Sequence, residues 1–532
     1  MQLTDRTKLF LIATAALLPL LGLAVLFWRR FYREDESNAA RRVFKNSVVP
    51  LVLRLMVRAF DLAVFIVLQQ TLPGVNIGPY ALAVLLVGQY LGTFTEFGLG
   101  VLLTREVARD PGAAKRLFAA TLLLRWVLVV LGAAPFAALL IAVYSVLGAL
   151  GLSESITPMG QQAIWILLLT LIPGAYSSAV TALYNASERM EIPALVEVFT
   201  ALVGLAIRLA LLWSGFGILA LSWAAVGVTT STAMLYFFLQ NRHFFRPTLR
   251  WDASLIKQLL PLAFPLMLNN LLNIVFFRFD TFIIKALGAG QGDLMVTRYD
   301  IAYKVISVAT ILPPIVTFAV FPLFSRRAAS ERAALAQAQN RTLQALLLLA
   351  FPIAMGMSVL ATPLVLLING RNAAQYLPIS AQVLAILAWF LPLSFANGLL
   401  QYVLIAVNQQ RAITRAFAIG AIFNLIANLL AVPQYGLYAA SVITILSELV
   451  LFAVFWPLLR REGLAPPLLA LAWRPAVAAL LMGAAMLAVY RVGPQGLLAA
   501  VVAPPVYLVA LWALGAFGAE ERALVRRVLG RT

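Results

Sequence analysis

Positive charge in this chain alternates with hydrophobic length. Fifteen apolar stretches of about membrane-spanning length can be drawn through its 532 residues. The seven connections that follow residues 102, 183, 239, 324, 407, 459 and 517 hold 21 Lys and Arg. The seven between them hold three: Arg298, Arg371 and Arg491. Moving a Lys or Arg across a membrane is unfavourable, so cationic connections stay cytoplasmic, and the alternation sets spans and orientation together. The expectation is an all-α, multi-pass membrane protein whose work is done inside the bilayer.

Composition narrows the chemistry. Hydrophobic residues make up 62% of the chain and charged residues 11%, against roughly 25% charged in soluble proteins. A formal charge of +19 would suggest nucleic acid for a soluble protein. Here it is the loop bias, which favours anionic headgroups, and no nucleic-acid partner is expected. Cysteine is absent and His243 is the lone histidine, so disulfides, thiolate chemistry and a His-based metal site are excluded. No cofactor is expected, and a coupling ion, H⁺ or Na⁺, stays open.

Twenty apolar residues at a rise of ~1.5 Å cross a hydrocarbon core of ~30 Å. Core spans read as 47–68, 79–102, 117–146, 163–183, 194–213, 218–239, 259–287, 299–324, 343–368, 381–407, 413–432, 437–459, 468–490 and 497–517. An additional run, 9–28, precedes them. Trp28-Arg29-Arg30 stands where a signal peptide would carry small residues, so the run reads as an extra helix. That gives 14 or 15 spans with the C-terminus cytoplasmic.

An internal repeat is detectable at an offset of 219: Asp61 with Asp280, Tyr80 with Tyr299, Gly217 with Gly436, and Ser222 with Ser441. The expected organisation is an extra helix and basic segment (1–46), a first six-helix lobe (47–240) and a second (241–461). Two further helices and a basic tail follow (462–532). Six intervening helices give both copies the same orientation, a parallel repeat able to rock about a central site.

Ionisable residues within spans cost ~2.5–3.5 kcal/mol on insertion scales, so each points to a lined cavity or a partner. Arg54, Arg58 and Asp61 share one face of the first span. Asn269, Asn273 and Asp280 form a stripe on the seventh, with Arg278 and Lys285 pointing the other way, towards a neighbour or the outer headgroups. Spacing pairs Asp300 with Lys304 and aligns Glu197 with Arg208. Glu96, Arg125 and Glu448 stand as isolated charges, and Gln401, Asn424 and Asn428 add neutral polar groups. Interhelical bracing explains any one of these; two facing polar stripes explain the set as a wet, cationic cavity.

Three stretches carry a resemblance: 60–110, with its Gly-Pro-Tyr-Ala segment and Glu-Phe-Gly-Leu turn; 277–327, opening on Phe-Arg-Phe-Asp; and 403–450. Together, across 41–461, they resemble the polysaccharide (Wzx-type) flippases of the multidrug/oligosaccharidyl-lipid/polysaccharide (MOP) exporter superfamily. The resemblance implies two lobes around a cavity and outward transfer of undecaprenyl-diphosphate-linked oligosaccharide across a bacterial inner membrane. It implies transport by alternating access without catalysis, by a protein expected to act as a monomer. Polysaccharide polymerases and glycosyltransferases would be its partners. Arg54, Arg58, Lys304 and Arg278 would hold the diphosphate, since the Arg fork donates bidentately and stays charged. Asp61, Asp280, Asp300, Glu197 and Arg208 would gate or couple, and Asn269, Asn273, Gln401, Asn424 and Asn428 would line the cavity. An Arg/Arg/Asp cluster like Arg54, Arg58 and Asp61 is similar to that of the related lipid II flippases. That role, a multidrug or ion antiporter, and, less readily, a membrane glycosyltransferase or polymerase are the alternatives.

Overall fold

Hydrocarbon offers no hydrogen bonds, so a spanning segment must satisfy its backbone internally, and an open chain does this as helix. The computed structural model describes residues 39–288, 290–492 and 496–516, and every core span expected within them is helical. The expected helix at 9–28 and the basic tail lie outside the described residues. The helices run α1 (Ala39–Thr71), α2 (Gly74–Arg109), α3 (Pro111–Ala149), α4 (Pro158–Ala186), α5 (Glu191–Trp213) and α6 (Ile218–His243). After them come α7 (Ala253–Arg278), the short α8 (Asp280–Ala286), α9 (Gly292–Ala309), α10 (Leu312–Ser330), α11 (Arg332–Val359) and α12 (Ala361–Asn369). The chain then forms α13 (Ile379–Ala406), α14 (Gln410–Arg461), α15 (Leu468–Val492) and α16 (Gly496–Ala513). Eleven helices are individually long and apolar enough to cross a membrane, and no strand occurs among the described residues. The protein is a polytopic all-α membrane protein.

Backbone breaks fall where the sequence supplies glycine. The 52-residue α14 turns at Gly436, whose φ of 57° and ψ of −136° divide it into two spans. Gly217, its partner at the 219-residue offset, stands before α6. Four residues on from each break's first helical residue, Ser222 and Ser441 are fully buried and donate to the carbonyls of Ile218 and Leu437, both at 2.9 Å. The two repeat copies therefore share local structure as well as letters.

The chain forms two compact units. Unit 1 holds the described residues up to Val275 together with Lys285–Thr297; unit 2 holds Phe276–Ile284 and the chain from Arg298 onward. In unit 1, α1 packs Leu53, Met56 and Phe60 on Ala194, Leu205 and Leu209 of α5. A larger core joins α2, α3 and α4 to Ile256, Leu259, Ala263 and Met267 of α7. Arg116 and Asp252, 2.6 Å apart, tie α3 to the residue before α7. Hydrogen bonds from Ser254 and the Leu255 N–H, then Arg116, hold the Asp252 carboxyl down at about 2. A depressed carboxylate keeps its contribution above the ordinary range and loses it only as pH falls through the folded value, here near 2. In unit 2, Phe276 packs edge-on against Phe417 at 5.6 Å, and α15 and α16 close over Met355 of α11.

One turn in unit 1 depends on glycine. Phe97 and Gly98, at φ of 54° and 72°, interrupt α2, and a Cβ on Gly98 would lie 2.6 Å from the Leu266 Cβ. A left-handed residue with a side chain costs ~1–2 kcal/mol before any clash. Gly98→Val, which must also push α7 away, is expected to lose more than that, read as a fall in the thermal midpoint of the detergent-solubilised protein.

Candidate functional site

In unit 1, the polar face of α1 meets α5. Asp61 lies 3.9 Å from Arg208, with the two side chains 44% and 28% exposed. Spacing along α1 makes Arg58 the obvious neighbour of Asp61, but its ion-pair partner among the described residues is Arg208, brought in by α5. Arg58 and Glu197 are both exposed; Glu197 lies in α5, a helix apolar and long enough to span, and Arg58 in the 33-residue α1 packed on it. Arg54 is described by its backbone alone. Gly204 sits one turn before Arg208 and lets α6 approach: a Cβ there would already touch Val228 at 3.5 Å. Tyr80, half-buried, is close enough to feel the charges of both Arg208 and Asp61. The Arg208 Nε is buried without a hydrogen-bond partner among the described residues, so the guanidinium keeps donor capacity. Asn269 and Asn273 are half-buried on α7, in this same unit.

Unit 2 holds a tighter network. The expected stripe on the seventh span is interrupted, because the helix stops at Arg278 and restarts at Asp280. Asp280 is 1% exposed and accepts hydrogen bonds from the hydroxyls of Tyr299 and Thr281. Of the two expected directions, Arg278 takes the one towards a neighbour. Its guanidinium donates to Asp300 at 3.0 Å and stacks 4.4 Å above the Tyr303 ring. Asp300 thus receives its cation from across the helix break rather than by helix spacing alone. Lys304, one turn on, is half-buried and has interactions of its own. Lys285, in unit 1, is fully buried and likewise points to neighbours rather than to headgroups.

The neutral polar residues of unit 2 divide similarly. Asn424 donates to the Ser447 hydroxyl at 3.0 Å, and Asn428 donates to the Asn424 side-chain oxygen at 3.1 Å; both asparagines are buried. Gln401 is half-buried. Glu448, isolated by spacing, accepts from Asn397 at 2.7 Å, a partner that spacing along one helix does not suggest. Glu96 and Arg125 are likewise a pair, at 3.2 Å. Glu96 also accepts the N–H groups of Gly98 and Gly100, which the interruption of α2 leaves without helical partners. Arg125, 1% exposed, donates in addition to the Ala175 carbonyl at 3.1 Å. This cluster fastens the α2 turn to α3 and α4.

Comparison with known proteins places this arrangement. A family described as polysaccharide biosynthesis protein matches residues 75–381. The chain belongs to that family. A second family, lipid II flippase MurJ, matches residues 306–505 of this polysaccharide biosynthesis protein. The probable flippase AglR of Haloferax volcanii is 26% identical over 266 residues, 49% of this chain and 53% of the relative. The chain thus spans about half the length of that curated relative. The fold is similar to lipid II flippase MurJ in an inward closed conformation, with a TM-score of 0.66 and 12% identity over 91% of this chain and 100% of the other. An inward-facing MATE family multidrug transporter of the MOP superfamily follows, with a TM-score of 0.61 and 15% identity over 78% and 98%. A MOP superfamily transporter from Pyrococcus furiosus gives 0.58 and 13% over 80% and 96%. The polysaccharide biosynthesis protein therefore has the MOP superfamily fold.

The two charge pairs differ enough to be told apart by measurement. Removing one partner of a buried pair costs ~3–5 kcal/mol, so Arg278→Ala is expected to destabilise strongly. A double-mutant cycle with Asp300→Asn should return most of that loss as coupling. The exposed, longer Asp61–Arg208 pair should couple by ~1 kcal/mol or less. Unfolding of the solubilised variants reads both.

Proposed function

We propose that this protein is a flippase that moves a polyprenyl-diphosphate-linked oligosaccharide from the cytoplasmic to the outer leaflet by alternating access. One observation carries the reading: Arg58 and Asp61 of α1 and Glu197 and Arg208 of α5 stay accessible where α1 packs on α5, a helix apolar and long enough to span, in which unpaired charge is costly. Arg208 shares only a long contact with Asp61 and keeps an unused donor. A diphosphate can replace that contact with shorter, charge-assisted hydrogen bonds. Arg54 and Arg58 would complete its neutralisation, with Lys304 and Arg278 as the cations of unit 2. Asn269, Asn273 and Gln401, all half-buried, would offer hydrogen bonds to sugar hydroxyls. Membership of a polysaccharide biosynthesis family and the likeness to a probable flippase support this cargo. Carboxylates available to a coupling H⁺ or Na⁺ are Asp61, Asp280, Asp300 and Glu197. The setting would be a bacterial inner membrane with the C-terminus cytoplasmic, among glycosyltransferases and a polymerase.

A second reading, lipid II as cargo, is favoured by the match to the MurJ family over 306–505. Deleting the gene separates the two by which lipid-linked glycan accumulates on the cytosolic leaflet.

Arg58→Ala and Arg208→Ala are each expected to reduce glycan export by at least about tenfold, the loss of ~1.4 kcal/mol of anion binding, with membrane abundance unchanged. Export of a labelled lipid-linked glycan in a deletion strain measures this. Wild-type export from both variants would sink the reading.

A further inference from the structure

Glu154 and Asp293, two of the few charges on the connections expected outside, meet Lys285 of α8 in unit 1. The Lys285 ammonium lies 2.7 Å from Glu154 Oε1 and 2.9 Å from Asp293 Oδ1, and the lysine side chain is 0% exposed. Glu154 comes from the connection between α3 and α4. Its second oxygen accepts the Gly292 N–H at 2.5 Å, and its own N–H donates to the Ala286 carbonyl at 2.9 Å. One turn into α9, the buried Thr297 donates to the Gly74 carbonyl at 2.8 Å. A Cβ on Gly78 would overlap the Asp293 carbonyl, so the backbones of α2 and α9 are in direct contact there. Lys285–Thr297 consequently groups with unit 1, although the chain on either side of it groups with unit 2.

Burying a lysine completely is costly, and an apolar contact of the same shape would hold as well or better. Ions differ in what happens on separation. Once parted into water, each recovers its hydration, whereas a parted apolar seal exposes hydrocarbon. A charged contact therefore suits a joint that must come apart. We propose that Lys285, Glu154 and Asp293 form a clasp that holds the start of α9 shut on the outer side of unit 1 and opens once in each transport cycle. The reason for opening rests on the flippase reading; the opening itself can be measured without cargo.

Because the chain has no cysteine, an introduced thiol is the sole reporter. Thr297→Cys in proteoliposomes would be labelled with a membrane-impermeant maleimide, with and without Lys285→Met. The added substitution is expected to speed labelling by about tenfold or more, since opening controls access to a buried group. Lys285→Arg, which keeps the charge, should leave the rate near that of Thr297→Cys alone. Equal labelling with methionine and lysine overturns the clasp. If the methionine variant does not accumulate, Glu154→Cys with Lys285→Cys is bridged by a short bifunctional thiosulfonate. Transport is then expected to stop and to resume on reduction, and transport unaffected by the bridge overturns the proposal. Faster labelling in a protein that flips no lipid-linked glycan supports the clasp and defeats the flippase reading instead.

Discussion

A charge placed between apolar helices must be hydrated, paired or neutralised, and that constraint organises both units. Arg125, Lys285 and Arg278 are nearly or fully enclosed, and each meets a carboxylate within 3.2 Å. Secondary donors and acceptors finish the work: the Ala175 carbonyl for Arg125, a second carboxylate for Lys285, the Tyr303 ring for Arg278. Desolvation on this scale tolerates no free buried cation. Against that background, Arg58 and Glu197 stand apart because they are exposed. The helix that carries Glu197 is apolar and long enough to cross a membrane, and it packs on the helix that carries Arg58, so a charge there is stable only where water or a partner reaches it.

The same enclosed pairs set the backbone. Glu96 satisfies two N–H groups released where α2 breaks, and Arg125 then neutralises Glu96 while holding α4. The break needs Gly98 for its left-handed φ and for the approach of α7. Turn, cap and ion pair form one unit in which none of the parts is useful alone. A similar economy holds at Asp280, where the interruption after Arg278 frees that cation to reach Asp300.

The spans were legible because a membrane enforces length: twenty apolar residues have few other uses, and each predicted core span within the described residues is helical. At the expected repeat offset, Gly217 and Gly436 each precede a helix start, but only Gly436 takes a left-handed φ that favours glycine. Side-chain pairing was not. Spacing along one helix can propose Asp300 with Lys304 or Asp61 with Arg58, but it cannot see neighbouring helices. Three pairs with enclosed cations join residues 22, 29 and 131 positions apart. Glu448 with Asn397, 51 apart, was invisible for the same reason. Helix packing decides these contacts, and the pattern of apolar residues in a buried bundle is too uniform to specify it.

Asp61 and Asp280 show how far a repeat constrains function. Both follow a phenylalanine, and both have a tyrosine 19 residues on that lies near the carboxylate. Asp280 is enclosed and satisfied by the hydroxyls of Tyr299 and Thr281, while the nearby Arg278 binds elsewhere. Asp61 is half-exposed and has Arg208 at 3.9 Å. An anion recruits a cation most readily where the existing partner is distant and water already reaches both. By that criterion the two copies have diverged: the second uses its aspartate to close a packed network, and the first keeps its aspartate as a loose counterion. On the proposed function, anion recognition would then rest on Arg58 and Arg208 of the first unit, although the sequence presents both aspartates alike.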